Sequence, residues 1–236
     1  MNSKYFNSRF LLLLIAISLG SSLSYQADAS EVDASIVIGI SNSGNLFGYS
    51  IDDEATLKLA TDLHYKAISV HADFKKGSDF EHKQVELAYT YALEKLYVTG
   101  GVGVIELSGP RLDLYATKLF VEIEGRQEIL GLIPELHFSK SVNKSSLDYL
   151  NLRLGKELYE GRFLINPYAE FAMGSIYSDN FKSNNFAIGV DVITPIGNEL
   201  YFSPNIAMNF PLDSVKEFDG DADTSFEIGF ALRKGF

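Results

Sequence analysis

Apolar and polar residues alternate along nearly the whole sequence from Ser35 to Phe236, in segments of roughly eight to thirteen residues. Successive side chains of a β-strand point to opposite faces, so this period of two predicts strands with one apolar and one polar face. No segment keeps a helical period, and no apolar run in the chain reaches the roughly 20 residues that a membrane-spanning helix needs. The alternation therefore predicts an all-β chain.

Twelve segments carry this alternation, and we predict one strand from each: 34–41, 55–63, 68–74, 84–93, 96–107, 113–124, 129–139, 146–157, 162–174, 185–194, 199–210 and 224–236. The boundary at residues 64–67 is the least marked, because it contains no Gly or Pro. There the apolar face moves from odd positions, as at Leu63 and Tyr65, to even positions, as at Ile68 and Val70. A strand changes face only at a turn or a bulge, so we predict a tight turn, whereas a bulge would reduce the count to ten strands.

The predicted connections alternate between short and long. The short ones are 64–67, 94–95, 125–128, 158–161 and 195–198, and the long ones are 42–54, 75–83, 108–112, 140–145, 175–184 and 211–223. Tight turns therefore lie at one end of the sheet and loops at the other. This asymmetry is typical of transmembrane barrels.

Aromatic residues on the apolar face lie toward the strand ends, and aliphatic residues lie between them. The rings near the long loops are Phe74, Tyr115, Phe138, Phe171, Phe186, Phe210 and Phe226, and those near the short turns are Tyr91, Phe163, Phe202 and Phe236. Two aromatic girdles around an aliphatic band are expected of a surface that contacts lipid. A soluble barrel with an apolar interior has no reason to place rings at both rims.

The opposite face of the predicted strands carries the charged residues, together with His71 and His137. We predict that thirteen of them line a lumen: Lys58, Asp62, Asp73, Glu86, Lys118, Glu122, Glu135, Arg153, Glu170, Asp191, Glu199, Glu227 and Arg233. So many charges would be very unfavourable in a dry core, but a polar lumen can hold them. Acids outnumber bases among them, which favours a hydrated lumen whose negative potential concentrates cations.

Residues 1–29 have the pattern of a secretory signal peptide, with a basic start, a short apolar run and a small-x-small cleavage site at Ala27-Asp28-Ala29. We expect residues 30–236 to form one domain. The absence of cysteine excludes disulfides, thiolate metal sites and a cysteine-linked lipid anchor. The formal net charge of −11 argues against nucleic acid as a partner.

The final strand places Phe226, Ile228, Phe230 and Leu232 at alternate positions and ends on Phe236. This ending resembles the C-terminal signature of Gram-negative outer-membrane β-barrel proteins, although Lys234 replaces the usual apolar residue. In that superfamily these positions, here Phe226, Ile228, Phe230, Leu232 and Phe236, form an insertion signal for the barrel assembly machinery.

The resemblance implies an antiparallel up-and-down transmembrane β-barrel in the cell outer membrane, exported by its signal peptide. It implies as partners outer-membrane lipid and lipopolysaccharide, periplasmic chaperones and the β-barrel assembly machinery. No cofactor is implied, and the oligomeric state stays open. The function expected first is a porin-like passive channel for small cationic or neutral solutes. A closed structural or adhesive barrel is the alternative.

A lipid A-modifying enzyme is the least favoured function. His137-Phe138-Ser139 has the His-x-Ser spacing of outer-membrane lipid A deacylases of the PagL type, but Lys140 stands where those enzymes have asparagine. The predicted register also turns His137 and Ser139 toward the lumen. Asp219-Gly220-Asp221-Ala222-Asp223 has the spacing of a calcium loop but lacks its glycine and its closing glutamate, which favours a solvated acidic loop. We therefore assign no catalytic residue and no metal ligand.

Overall fold

The computed structural model describes residues 32–46, 49–52, 54–109, 113–143, 148–176 and 180–236. The predicted signal peptide, residues 1–29, lies outside the described residues. Among the described residues, no helix has the length and apolar character needed to cross a membrane.

The chain is built almost wholly of β-strands. They are β1 (Val32–Ser41), β2 (Gly44–Leu46), β3 (Tyr49–Asp52), β4 (Thr56–Tyr65), β5 (Ile68–Lys76), β6 (Glu81–Ala92), β7 (Leu96–Ser108), β8 (Leu114–Gly125), β9 (Ile133–Ser141), β10 (Tyr149–Gly155), β11 (Leu158–Glu160), β12 (Phe163–Gly174), β13 (Lys182–Gly197), β14 (Leu200–Pro211) and β15 (Ser225–Gly235), with one helix, α1 (Asp213–Phe218). β2 and β3 form a separate hairpin in the connection between β1 and β4. β10 and β11 both pair with β12, so they are two halves of one interrupted strand.

The remaining pairings close the sheet into a barrel. Each strand pairs antiparallel with its neighbours along the chain, and β1 pairs with β15 from Ser35 opposite Gly235 to Ser41 opposite Gly229. Within the described residues this gives a closed antiparallel barrel of 12 strands, as the sequence pattern predicts. The ten-strand alternative is wrong, because Lys66 and Ala67 form a two-residue turn between the paired residues Tyr65 and Ile68.

The connection before β9 and the connection between β5 and β6 differ from the predicted lengths. β9 begins at Ile133 rather than at residue 129, and the connection before it contains a small hairpin in which Ile129 pairs with Leu132. Leu130 and Gly131 at its tip have φ angles of 56° and 81°, which is a turn geometry that an apolar residue such as Leu130 does not signal. In contrast, β5 and β6 extend into the predicted loop 75–83, so that only residues 77–80 connect them.

The two faces of the barrel are distinct, as β8 illustrates. Its outward residues Leu119 and Val121 are 55% and 43% exposed, whereas the inward residues Lys118 and Phe120 are 5% and 4% exposed. Exposed outward rings lie near both rims: Tyr115, Phe138, Phe171, Phe186 and Phe226 near the long loops, and Tyr91, Phe163 and Phe236 near the short turns. The apolar face therefore points outward and the charged face points into the barrel.

This orientation predicts different effects for the same substitution on the two faces. Val121→Arg places a guanidinium on the outward face near mid-height, and we expect it to lower the free energy of unfolding in lipid by roughly 2–4 kcal/mol. Thr99→Arg is the matched control, because Thr99 lies on the adjacent strand opposite Glu122 and lines a cavity inside the barrel. Urea titration of both variants in lipid vesicles measures the difference, and equal destabilisation would contradict the assigned faces.

Candidate functional site: the charged lumen

A row of facing residues crosses five neighbouring strands of the lumen wall. Asp62 of β4 lies opposite His71 of β5, His71 opposite Glu86 of β6, Glu86 opposite Gly103 of β7, and Gly103 opposite Lys118 of β8. His71 Nδ1 is 2.6 Å from Asp62 Oδ1, and Lys118 Nζ is 2.7 Å from Glu86 Oε1. The barrel pairing therefore brings the side chains of Asp62, His71, Glu86 and Lys118 into one row, in which the first three are directly opposed on adjacent strands.

Gly103 makes the contact between Lys118 and Glu86 possible. These two residues lie on strands that are separated by β7, so their side chains must meet above it. A Cβ atom at position 103 would lie 2.9 Å from Glu86 Cγ and 3.3 Å from Lys118 Cε. The glycine therefore leaves the space in which this ion pair forms.

A second group of charges surrounds Arg153 on the other side of the lumen. Glu135 and Glu170 lie directly opposite Arg153 on its two neighbouring strands, and Asp191 forms an ion pair with the guanidinium. The guanidinium also lies 3.8 Å from the centre of the Tyr168 ring. One cation is thus shared by three carboxylates. This part of the wall consequently carries an excess of negative charge.

Glu124 enlarges this acidic region. It lies directly opposite Glu135, and it lines the same cavity as Glu122. His137 Nδ1 lies 2.8 Å from Glu122 Oε1, and the His137 ring stacks on Phe120 with centroids 5.9 Å apart. The histidine therefore meets one carboxylate, while Glu124 lies beside another acid rather than beside a base.

A cavity of about 640 Å³ lies along the lumen wall from β4 to β9. It reaches the short-turn end, where Lys66 and Ala67 line it, and both His71 and His137 face it. Four carboxylates, those of Asp62, Glu86, Glu122 and Glu124, also line it. Its size lies within the range of small-molecule pockets, and its walls offer many polar groups to water or a hydrophilic solute.

Lys58 and Asp73 lie in a further group near the loop end. Lys58 lies opposite Lys75, and His82 Nδ1 is 3.4 Å from Asp73 Oδ2. Sequence reasoning missed Lys75 and His82, because both fall within the loop predicted at 75–83. It also missed Glu124, although this residue has the inward parity of Glu122, and that parity was the signal available to find it.

The remaining predicted lumen residues are Glu199, Glu227 and Arg233. Glu227 interacts electrostatically with Lys58, and Arg233 with Asp62. Glu199 does not lie in a strand: it is in the turn between β13 and β14, with a φ of 53°. Its side chain is 66% exposed and its carboxylate is 3.6 Å from Lys234 Nζ. The assignment of Glu199 to the lumen wall is therefore corrected.

The loop end of the lumen is apolar rather than charged. Ile105 and Leu107 of β7 and Leu114 of β8 continue the inward parity of Gly103 and Lys118, and they are nearly fully buried. They form one cluster with Tyr149, Ala116, Ala172, Ile176 and Val215 of α1. Sequence reasoning missed this cluster. Its signal was the loss of alternation in β7, which is apolar on both faces between Val102 and Ile105.

The structure also places the His137-Phe138-Ser139 motif and the acidic run 219–223. His137 and Ser139 both face the lumen, and His137 is engaged with Glu122. In the acidic run before β15, the backbone N–H of Asp221 donates to Asp219 Oδ1 at 3.3 Å. Across the described part of the chain, no three His, Asp or Glu side chains converge in a group that could hold a metal ion.

Comparison with solved structures identifies the fold. The KdgM porin matches with a TM-score of 0.54 and 9% sequence identity, over 86% of this chain and 99% of that chain. KdgM porin in complex with disordered oligogalacturonate matches with a TM-score of 0.53 and 10% identity, over 86% and 99%. LpxR from Salmonella typhimurium matches with a TM-score of 0.48 and 11% identity, over 85% and 99%. No protein-family profile and no curated protein sequence matches the chain.

The chain therefore has the closed β-barrel fold of outer-membrane proteins, with a polar and charged interior. At identities this low, the similarity identifies the fold alone. The chemistry of the lumen must be argued from the residues of this chain.

The position of Gly103 generates a test of the lumen wall. Gly103→Val should lower the free energy of unfolding by roughly 1–3 kcal/mol, because the new side chain displaces Glu86 and Lys118. Gly100→Val is the matched control on the outward face of the same strand, where the nearest atom to an added Cβ is 4.0 Å away. We expect that control to be neutral or stabilising, because a β-branched residue suits an exposed strand position. Urea titration in vesicles measures both, and equal effects would contradict the proposed role of Gly103.

Proposed function

We propose that this barrel is a porin-like channel in the outer membrane of a Gram-negative bacterium and that it passes small cationic or neutral solutes. The observation that carries this proposal is the shared cation at Arg153, which lies among Glu135, Glu170 and Asp191. A structural barrel would gain most from matched ion pairs, because unpaired charges in a dry interior are strongly unfavourable. Unmatched carboxylates are tolerable when water reaches them.

Water has room beside this group of charges. The cavity of about 640 Å³ is lined by Lys66 at the short-turn end and by the carboxylates of Asp62, Glu86, Glu122 and Glu124, and Glu124 lies directly opposite Glu135. In a hydrated passage, such carboxylates produce a negative potential that raises the local concentration of cations and lowers that of anions. The fold similarity to the KdgM porin supports a channel in general. The charge preference rests on the residues of this chain alone.

A closed structural or adhesive barrel is the second candidate, and one observation favours it. The apolar cluster of Ile105, Leu107, Leu114 and Val215 lies across part of the loop end of the lumen. A permanent seal at that position would prevent passage of ions. The two candidates differ in whether a refolded barrel conducts.

We further propose export by the segment 1–29 and recognition of the final strand by the barrel assembly machinery. Phe226, Ile228, Phe230 and Leu232 are outward and exposed, and Phe236 is 61% exposed. The backbone N–H of Phe236 donates to Ala34 O at 2.9 Å, but its ring adds little to the interior. Its side chain is therefore well placed to be recognised by another protein.

The channel proposal predicts cation preference in planar bilayers. Changing Glu124, Glu135 and Glu170 together to Gln should lower the permeability ratio of K⁺ to Cl⁻, because these carboxylates exceed the bases beside them. The preference of the wild-type barrel should also decrease as salt is raised from about 0.1 M to 1 M, since the Debye length falls from about 10 Å to 3 Å. Reversal potentials across a salt gradient measure both effects.

Glu199→Gln is the matched control for this measurement, because Glu199 lies in an exposed turn beside Lys234. It removes one carboxylate outside the lumen and should leave the permeability ratio unchanged. An anion preference in the wild-type barrel would contradict the proposed selectivity. A complete lack of conductance in every variant would favour the structural barrel.

Deletion of Phe236 should separate assembly from folding. We expect lower levels of the barrel in the outer membrane of cells but normal refolding into detergent, because the ring makes few interior contacts. Heat-dependent gel mobility and membrane fractionation measure the two properties. Arg162→Ala is a control at the same rim, in an exposed turn residue. Equal losses in cells and in detergent would show that Phe236 acts only as a structural residue.

A further inference from the structure

We propose that residues 212–224, which include α1, form a gate at the loop end of the channel. This inference rests on the channel function proposed above and concerns its regulation. The segment connects β14 to β15 and folds against the inner wall of the barrel instead of extending away from it. It lies across part of the loop end of the lumen, where Val215 packs in one cluster with Ile105, Leu107 and Leu114.

The inner surface of the gate is apolar, and so is the part of the barrel wall that it contacts, which we call the seat (Ile105, Leu107 and Leu114). Val215 of α1 is fully buried in the cluster that contains Ile105, Leu107 and Leu114, and Phe218 packs against the same cluster. All three wall residues have inward parity, so the cluster lies inside the barrel rather than in the lipid-facing surface. Apolar constrictions resist the passage of ions because water leaves them readily. The contact between Val215 and the wall therefore suits a barrier to charged solutes.

Three polar contacts join the gate to β13. Ser214 Oγ donates to Asn184 Oδ1 at 2.6 Å in a buried position, and Leu212 N–H donates to Asn184 O at 2.8 Å. Lys182 Nζ lies 2.6 Å from a carboxylate oxygen of Glu217. This last pair is partly exposed, so salt screens it and its contribution is small. The gate is consequently joined to the wall by an apolar seat and a short row of polar contacts.

These contacts contrast with those of the wall. Except for the short β11, each strand of the barrel pairs with a neighbour on both sides, so it cannot move without breaking a ladder of backbone bonds. In contrast, α1 has six residues, and a helix this short has little stability without packing. Only Ser214 and Val215 of α1 are buried. The gate can therefore move away from the wall while all the strand pairings of the barrel remain intact.

Removal of the apolar contact provides the first test. Val215→Asp places a carboxylate against Ile105 and Leu114, where the charge is costly while the gate is seated and harmless once it moves into water. We expect the ratio of open to closed time in single-channel recordings to rise at least about tenfold. Lys216→Gln is the matched control, because its exposed side chain lies on the next residue of the same helix. It should leave the ratio close to that of the wild-type barrel.

A disulfide that fixes the gate to the wall provides the second test. This test introduces no charged residue into the apolar cluster. The chain contains no cysteine, so Asn184→Cys with Ser214→Cys introduces a single possible disulfide between β13 and α1. We expect oxidation to reduce open-state conductance and dithiothreitol to restore it in the same bilayer. Each single cysteine variant should be insensitive to both reagents.

The possible results distinguish failure of the gate proposal from failure of the channel proposal. Conductance that is the same in the wild type, in Val215→Asp and in the oxidised double-cysteine variant would overturn the gate and leave the channel function in place. Absence of conductance in all of them, with the barrel shown to be folded by heat-dependent gel mobility, would overturn both. Conductance that increases in Val215→Asp and decreases on oxidation would support both.

Discussion

Closure of the sheet is the constraint on which the rest of this structure depends. In hydrocarbon, an unpaired backbone N–H or C=O is too costly to keep, so a membrane-spanning sheet needs every strand edge to be paired. The seven residue pairs that join β1 to β15 meet this requirement. Because closure gives every strand one outward and one inward face, it also converts a simple alternation of residues into two separate environments. Ile38 and Ile40 on β1 are outward and exposed, whereas Ser35 is inward and nearly buried.

The inward face carries many charged side chains, and these have to be paired or hydrated. Backbone pairing places side chains opposite one another regardless of their sign, as with Lys58 opposite Lys75 and Glu124 opposite Glu135. Some charges find partners at a distance, and glycine makes this possible where a side chain would obstruct them, as Gly103 does between Glu86 and Lys118. The carboxylates around Arg153 outnumber it. Hydration stabilises such an excess, whereas in a dry interior some of the carboxyl groups would have to be protonated instead. An acidic wall beside a cavity therefore favours a hydrated lumen.

The sequence allowed accurate prediction of features that depend on periodicity. The change of parity at residues 64–67 identified a turn without Gly or Pro, because side-chain direction in a strand has only two values. Features that depend on contacts between distant strands were not predictable. No local pattern shows that Glu86 meets Lys118 across β7, or that the loop after β14 contains α1 and returns to the wall. Glu199 was misplaced for a related reason: its positive φ moves it into a turn that its residue type does not signal.

The lumen has two regions of opposite character along its axis, and their order affects how a solute would cross it. Charged and hydroxyl groups line the cavity at the short-turn end, whereas Ile105, Leu107 and Leu114 line the wall at the loop end. A hydrated cation entering from the short-turn end would meet carboxylates first and then an apolar region with few groups to replace its water. In the proposed channel, the energetic barrier to a cation would therefore lie where the wall is apolar. Val215 lies in that same region, on a six-residue helix rather than on a strand. In the proposed channel, selectivity and closure would consequently depend on different residues, since the carboxylates belong to the strands of the wall whereas Val215 belongs to a helix outside the sheet.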